Sequence, residues 1–573
     1  MKFRLTYGNF IRFNYLFGIA VIITMMPFSR YVLSIGQFIV TGAWALERID
    51  QQKFLNFFSK PFGTKRVLGT VPFLLWLLAE SVWKGLNELT RSKPAMVLMS
   101  IYLLHIAGLI FTTDFAYAFK DLRIKVPIFV LPLFFVTSEG INKKGFYGYL
   151  ILFLASLVLV TLINTVRFLQ GEFIDIRDVS KYTSHILLGL MLVMALLTCG
   201  YLVIQRNHVP AWVKILLVLI SAWFLAYLVM TKSMTGIIVL VLTLGILLLI
   251  IAFRSRRRWL KPVLSLVILA SLAGSYVYLR SVISDYYHVN PVDLNRLDWA
   301  TPRGNVYYHD RSAKVLENGN YVWIYVQTEE MQEAWSKRSK IPLDSLDLKG
   351  QPLRFTLVRF LASKGLRKDL DGVNALTDEE VQAVEKGIAN VVYMQKFSIR
   401  GRIYEMLMGY DTYKATGDPT GFSLMQRIEF WKAGIGIIRD HWLTGVGTGD
   451  LNEAFSTQYE KMQTKLAPEQ RWRAHNQFMT ILVAFGVFGL AWFLFALFYP
   501  PAAMKKFGDF FTLTLLIMLL FSMITEDTLE SQARVTFFWF WYCFFLFARK
   551  EEDPLVPSRR LFKKDPDPET DKA

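Results

Sequence analysis

A single histidine stands where the chain re-enters a long apolar run, in Arg471-Trp-Arg-Ala-His475-Asn476-Gln477. An imidazole titrates near ~6.5, so at such a seam it can take a proton from a hydroxyl at neutral pH, or be a plain interfacial polar residue. Arg471 and Arg473 lie just upstream, close enough to hold a negatively charged leaving group beside that base. Arg427 precedes Trp431 by one helical turn. It either stacks on that ring or aims its planar fork at phosphate oxygens. Lys232 sits in Thr231-Lys-Ser-Met-Thr235, a tight turn between apolar runs, where a lysine snorkels to the interface or meets an anion. His185 follows the acidic stretch Glu172 to Asp178 and either caps a helix or binds a ligand. Glu526, Asp527 and Glu530 either pair with these cations or are solvated. Gly445-Val-Gly-Thr-Gly-Asp450 follows a helical pattern rather than a strand, so it is no dinucleotide fingerprint. It reads as a helix–turn–helix connection or as a nest of backbone N–H groups for an anion. There is no P-loop and no HExxH. Together these residues suit a membrane-embedded pyrophosphate beside a proton acceptor.

The elements that must position them are membrane spans. The chain has 573 residues, 53% hydrophobic and 19% charged. Its apolar residues are gathered in blocks, such as the twenty uncharged residues from Met234 to Phe253. Disorder, a coiled coil, a secreted disulfide scaffold and an ordinary soluble enzyme are excluded. Apolar runs predict twelve spans near 11–28, 31–46, 95–113, 124–138, 146–166, 185–204, 212–230, 234–253, 262–280, 476–499, 510–525 and 533–548. The segment 67–79 is short, contains Pro72 and leads into Glu80 and Lys84, so it reads as interfacial. Cys199 and Cys543 fall inside apolar runs and read as core- or lipid-facing thiols. No short apolar segment with a cleavage site precedes the first span, so no removable signal peptide is expected.

Charge sets the orientation. The formal net charge is +18, yet from Ser281 to His475 there are 25 Lys plus Arg against 25 Asp plus Glu. The basic excess therefore lies beside the spans, which suits membrane topology rather than a nucleic-acid partner. With the N terminus inside, the inner loops hold Lys143 and Lys144, Arg206 and Lys214, Arg254 to Arg258 with Lys261, and Lys505 with Lys506. Both termini are then cytoplasmic, and 281–475 is an external domain between spans nine and ten. Within it, Val306–His309 and Tyr321–Gln327 flank Glu317-Asn318-Gly319-Asn320 and read as a small hairpin. Thr377-Asp-Glu-Glu380 opens an amphipathic helix through Ile388. A helix near 424–439 places Ile428, Trp431, Ile435 and Ile438 on one face. The charged tail 549–573 reads as disordered. The expected organisation is thus 1–280, 281–475, 476–548 and 549–573: an all-α polytopic membrane protein with one large mixed α/β external domain.

Arg427-x3-Trp431, Leu443-Thr-Gly-Val-Gly-Thr-Gly449, His475-Asn-Gln and Gly486-Val-Phe-Gly489 resemble the signature of the O-antigen ligase family. So does the arrangement of twelve spans with one large outer loop before the last three. The likeness covers roughly 90–548, and the longer 285–420 part looks like the versions found in Bacteroidetes. Related polymerases and protein O-oligosaccharyltransferases share much of this motif. The resemblance implies a GT-C-like glycosyltransferase of the bacterial inner membrane that needs neither metal nor cofactor. Such an enzyme moves a glycan from undecaprenyl diphosphate to a hydroxyl of lipid A–core, with inversion. It implies His475 as the catalytic histidine and Arg427 as a diphosphate ligand, beside which Lys232, Arg471, Arg473 and His185 are the further candidates. The family often has an arginine after a serine in the turn between spans seven and eight. Here Ser233 is followed by Met234, and Lys232 offers a point charge without the fork. A polymerase or a protein-directed transferase with the same donor is the nearest rival. A transporter would place charges near mid-membrane, whereas here they lie at span ends.

Overall fold

The computed structural model describes residues 7–59, 64–171, 176–204, 210–254, 259–395 and 398–549. The basic 255–258 loop, Arg206, residues 172–175 of the acidic loop and the tail from 550 lie outside the described residues. The first half of the chain runs α1 (Tyr7–Met25), α2 (Arg30–Glu47), α3 (Gln51–Phe58), α4 (Thr64–Leu89), α5 (Lys93–Ala107) and α6 (Phe115–Thr137). It continues through α7 (Lys143–Gln170), α8 (His185–Ile204), α9 (Ala211–Met230), α10 (Met234–Arg254) and α11 (Leu260–Tyr287). Then come α12 (Thr328–Ser336), α13 (Leu353–Ser363), α14 (Leu370–Asn374), α15 (Asp378–Glu385), α16 (Arg400–Thr416), α17 (Ser423–His441) and α18 (Leu451–Lys461). The chain returns through α19 (Gln477–Ala503), α20 (Phe510–Thr525) and α21 (Gln532–Phe547).

This is a mostly helical polytopic membrane protein. A helix stands at each of the twelve expected places, and eight of the described helices are long and apolar enough to cross a bilayer. Among the other four, α20 and α21 have only 16 residues each, about 24 Å of helix. α6 starts well ahead of 124, capped by Asp114, because the buried Asp121 and Lys125 pair within it. α11 runs two turns past 280, and its apolar stretch buries none of its residues. The centre is aromatic. Every residue of α21 from Val535 to Leu546 is buried, and its rings pack on α7 and α6, with Phe146–Phe544 at 5.3 Å and Phe135–Phe540 at 5.5 Å. Cys199 and Cys543 are free and buried.

The elements between α11 and α16 have their own core around Trp335, Leu357, Phe360 and Val373, separate from the main core. Strand structure there is slight. β1 (Leu316–Glu317) and β2 (Asn320–Tyr321) pair across Asn318-Gly319, both left-handed as a type I′ turn requires. The expected strands 306–309 and 321–327 share a single bridge, Tyr308–Val326. α15 opens with the anticipated capping box at Thr377 and stops before the left-handed Gly387. α16 docks on α11 through Arg400–Asp285 at 2.8 Å and the Tyr286–Tyr404 ring pair.

The face of α17 differs from expectation. Phe430, Ala433, Gly434 and Ile437 are buried, while Ile435 is exposed. Small residues win because α19 and α18 come too close for large ones: a Cβ on Gly434 would meet Met479 and one on Gly436 would meet Gln458.

Candidate functional site

Three segments meet near the start of α19: the start of α17, the 466–476 connection, and the 526–531 loop between the short helices α20 and α21. Glu526, only 2% exposed, is their hub. Its carboxylate accepts from Arg427 Nη2 at 2.7 Å, pairs with Arg534 Nη1 at 3.0 Å and faces His475 Nδ1 at 3.8 Å. Arg427 Nη1 also donates to the Thr525 carbonyl at 2.5 Å. Burial opposes charge on Glu526, but His475, Arg534 and Arg427 outweigh it and hold its carboxyl below the usual carboxylate range.

His475 is held by its backbone. It is left-handed (φ 46°), a conformation costing a side-chain-bearing residue about 1–2 kcal/mol. Its N–H donates to Asp527 Oδ2 at 3.1 Å, and Asp527 Oδ1 accepts from Thr480 Oγ1 at 2.6 Å. Trp431 Nε1 donates to the preceding Ala474 carbonyl at 2.9 Å, and Asn476 caps α19. The ring lies against Phe430, 5.5 Å between centroids, and its buried Nδ1 has no hydrogen-bond partner. A strained residue fixed by flanking caps fits a side chain that must point at one place.

A second charge cluster lies directly beneath. Arg473 Nη1 donates to Glu530 at 2.9 Å, as does Lys125 Nζ of α6 at 3.0 Å, and Lys125 also reaches Asp121 at 2.5 Å. Gln477 Oε1 accepts the Leu529 N–H at 2.7 Å and so ties the same loop to α19. Burial works against Glu530 as well, yet Lys125 and Arg473 hold its carboxyl well below the usual range. All three acidic residues of the 526–531 loop are thus engaged, not solvated.

The other candidates lie elsewhere. Arg471 donates to the Leu466 carbonyl at 3.2 Å and makes no contact with the Glu526 cluster among the described residues. Lys232 occupies a left-handed turn (φ 52°) near Glu405 and Arg402 of α16, where burial draws its pKa below the usual lysine range. His185 lines a separate cavity of about 510 Å³ with Arg167, Lys181 and Ser184. The Leu187 N–H bonds to Ser184 Oγ, so the serine acts as the cap there. The glycine loop is a packing device and not an anion nest. The N–H groups of Gly445, Val446, Gly447, Thr448 and Gly449 are all taken by protein acceptors. A Cβ on Gly445 would collide with the Ala484 backbone, opposite the break in α19 at Gly486 (φ 64°).

With that geometry in view, residues 373–494 match the family model described as O-antigen ligase. Over that stretch the chain is similar to the O-antigen ligase family. The matched stretch runs from α14 into α19 and contains Arg427, the glycine loop and His475. No curated protein matches the chain. The O-antigen ligase stretch ends before the 526–531 loop, so Glu526, Asp527 and Glu530 complete the cluster from outside it. Arg534, Lys125 and Asp121 had a single sequence signal: a charge inside, or just ahead of, an otherwise apolar run.

Proposed function

We propose that the protein is a glycosyltransferase of the bacterial inner membrane. It moves a glycan from undecaprenyl diphosphate to a hydroxyl of lipid A–core on the periplasmic side, with both termini cytoplasmic. The observation that carries this reading is the meeting of His475 and Arg427 at one buried carboxylate beside the ends of two spans. Arg427 and Arg473 offer guanidinium groups to the diphosphate. As the acceptor oxygen bonds to the anomeric carbon from the face opposite the phosphate, the bond from that carbon to the phosphate oxygen breaks. Its electron pair leaves with the lipid diphosphate, and the acceptor's proton passes to the His475 imidazole. The anomeric centre inverts in this single displacement. Glu526, facing Nδ1, offsets the charge that the ring gains. A diphosphate is already a good leaving group, so arginines that neutralise it supply the needed stabilisation without a metal.

The test is transfer by purified protein in nanodiscs, given undecaprenyl-diphosphate-linked glycan and, separately, lipid A–core, a longer glycan and a serine-bearing peptide. Glycosylated lipid A–core supports the ligase reading. Extension of the glycan alone would make the protein a polymerase, and modification of the peptide alone a protein-directed transferase. No transfer to any of them, with folded protein and intact donor, removes the proposal.

A further inference from the structure

The external domain carries an aromatic and polar patch that the transfer site does not use. Tyr307 N donates to the Trp299 carbonyl at 2.9 Å, and Ala300 bridges Val306 in the antiparallel sense. Directly opposed residues share a face, so Trp299 stands on the Tyr307 side. That side also carries Tyr325, whose ring meets Tyr307 at 5.5 Å and His309 at 5.1 Å, both edge-on. Arg367 lies over the Tyr325 ring at 4.5 Å and pairs with Asp298, the residue before Trp299. Trp299 is 73% exposed, and the Arg367 and Asp298 side chains are about half exposed.

One feature is costly for stability alone: Tyr325 is left-handed (φ 55°), an outlier for a bulky residue, and its N–H donates to His309 Nδ1 at 3.1 Å. This conformation sets its ring among Tyr307, His309 and Arg367. An exposed indole next in the chain to the Asp298 of a guanidinium–carboxylate pair then matches both halves of what a sugar ring presents, apolar C–H faces and a rim of hydroxyls that donate and accept. A membrane anchor would set the tryptophan among excess cations, whereas here both signs are mixed within one patch.

We propose that Trp299, Tyr325, Arg367 and Asp298 form a second saccharide-binding site, which holds a ring of the glycan away from the reacting end. The site rests on the reading of the protein as one that handles glycans, but its test requires no transfer. The full chain in nanodiscs is titrated with the lipid-free polysaccharide released by mild acid from the lipopolysaccharide of the native host. Saturable binding is expected, weakened about tenfold by Trp299→Ala, the loss of one aromatic stacking contact. Arg367→Lys, which keeps the charge and loses the fork, weakens it also, while Trp299→Phe keeps most of it. His475→Ala binds like the wild type, so failure of the transfer reading and failure of this site give different results. The proposal is overturned if the wild type does not bind, or if Trp299→Ala binds equally. It is also overturned if brominated lipids quench the emission that Trp299→Phe removes, which would make Trp299 a membrane contact.

Discussion

Replacing Glu526 by Gln keeps the shape of the hub and removes its charge. Its carboxylate faces His475 Nδ1 at 3.8 Å. A unit pair near 4 Å is worth about 1 kcal/mol in water and about 4 kcal/mol at the effective dielectric of a protein edge. Because the counter-charge matters only once the imidazole has gained its proton, its loss falls on turnover. A fall in kcat of ~10- to 10³-fold follows. Donor binding moves the other way. Arg427, now bonded to Glu526 at 2.7 Å, is released toward the diphosphate, so the donor KM stays level or drops. Stability falls by about 1–3 kcal/mol. This is less than the loss on breaking a fully buried pair, because Arg427 and Arg534 keep 24% and 18% of their side-chain surface in contact with solvent. Turnover, donor KM and thermal midpoint measured on the same nanodisc preparation separate the three effects. An unchanged kcat in a folded Glu526→Gln protein would refute the counter-charge argument. A rise in donor KM matching the fall in kcat would refute the competition for Arg427.

His475→Ala is expected to cut transfer by ~10²–10⁴-fold while donor binding, measured separately, is kept. Arg427→Lys keeps the charge but loses the fork that reaches both Glu526 and the Thr525 carbonyl, so donor KM rises; wild-type kinetics would reduce Arg427 to a structural tie. Lys125→Met leaves Asp121 unpaired and Glu530 half-compensated, at a cost of about 3–5 kcal/mol. Adding Asp121→Asn should recover most of the lost thermal midpoint. Glu526 and Glu530 have depressed folded pKa values, so their stabilisation is fully present above the ordinary value of ~4.3 and is lost as pH falls through the folded values. The thermal midpoint should therefore hold from neutrality to about pH 5 and drop below pH 4, less steeply in a Glu526→Gln/Glu530→Gln protein.

The helices were legible because twenty apolar residues in a row admit few other solutions. His475 and Arg427 were legible because a titratable ring and a guanidinium stand at the edge of such runs. Glu526 as the hub was not, since its partners come from α17, α21 and the connection to α19, and no local pattern joins them. Asp121 stands just ahead of the expected 124–138 run and Lys125 just inside it, and their pairing with each other and with Glu530 has no local pattern in sequence. On α17 the large apolar residues drew attention, while the packing falls on Ala433 and Gly434, which have little hydropathy to display. Arg471, Lys232 and His185 had the right chemistry, but sequence does not say which turns converge.

The shortness of α20 and α21 bears on how deep the charged 526–531 loop lies. One end of the pair is fixed by Asp509 and Arg549, which pair at 2.6 Å, and the other by the charged 526–531 loop. Between these two polar layers lie about 24 Å of helix, against ~30 Å of hydrocarbon in an ordinary bilayer. Because α21 is enclosed by other helices from Val535 to Leu546, protein rather than lipid surrounds most of this pair and accommodates the difference of about 6 Å. Under the proposed function, a lipid-borne diphosphate would then meet Arg427 in a recess walled by helices, so the protein rather than the leaflet supplies the polar surroundings its charge requires.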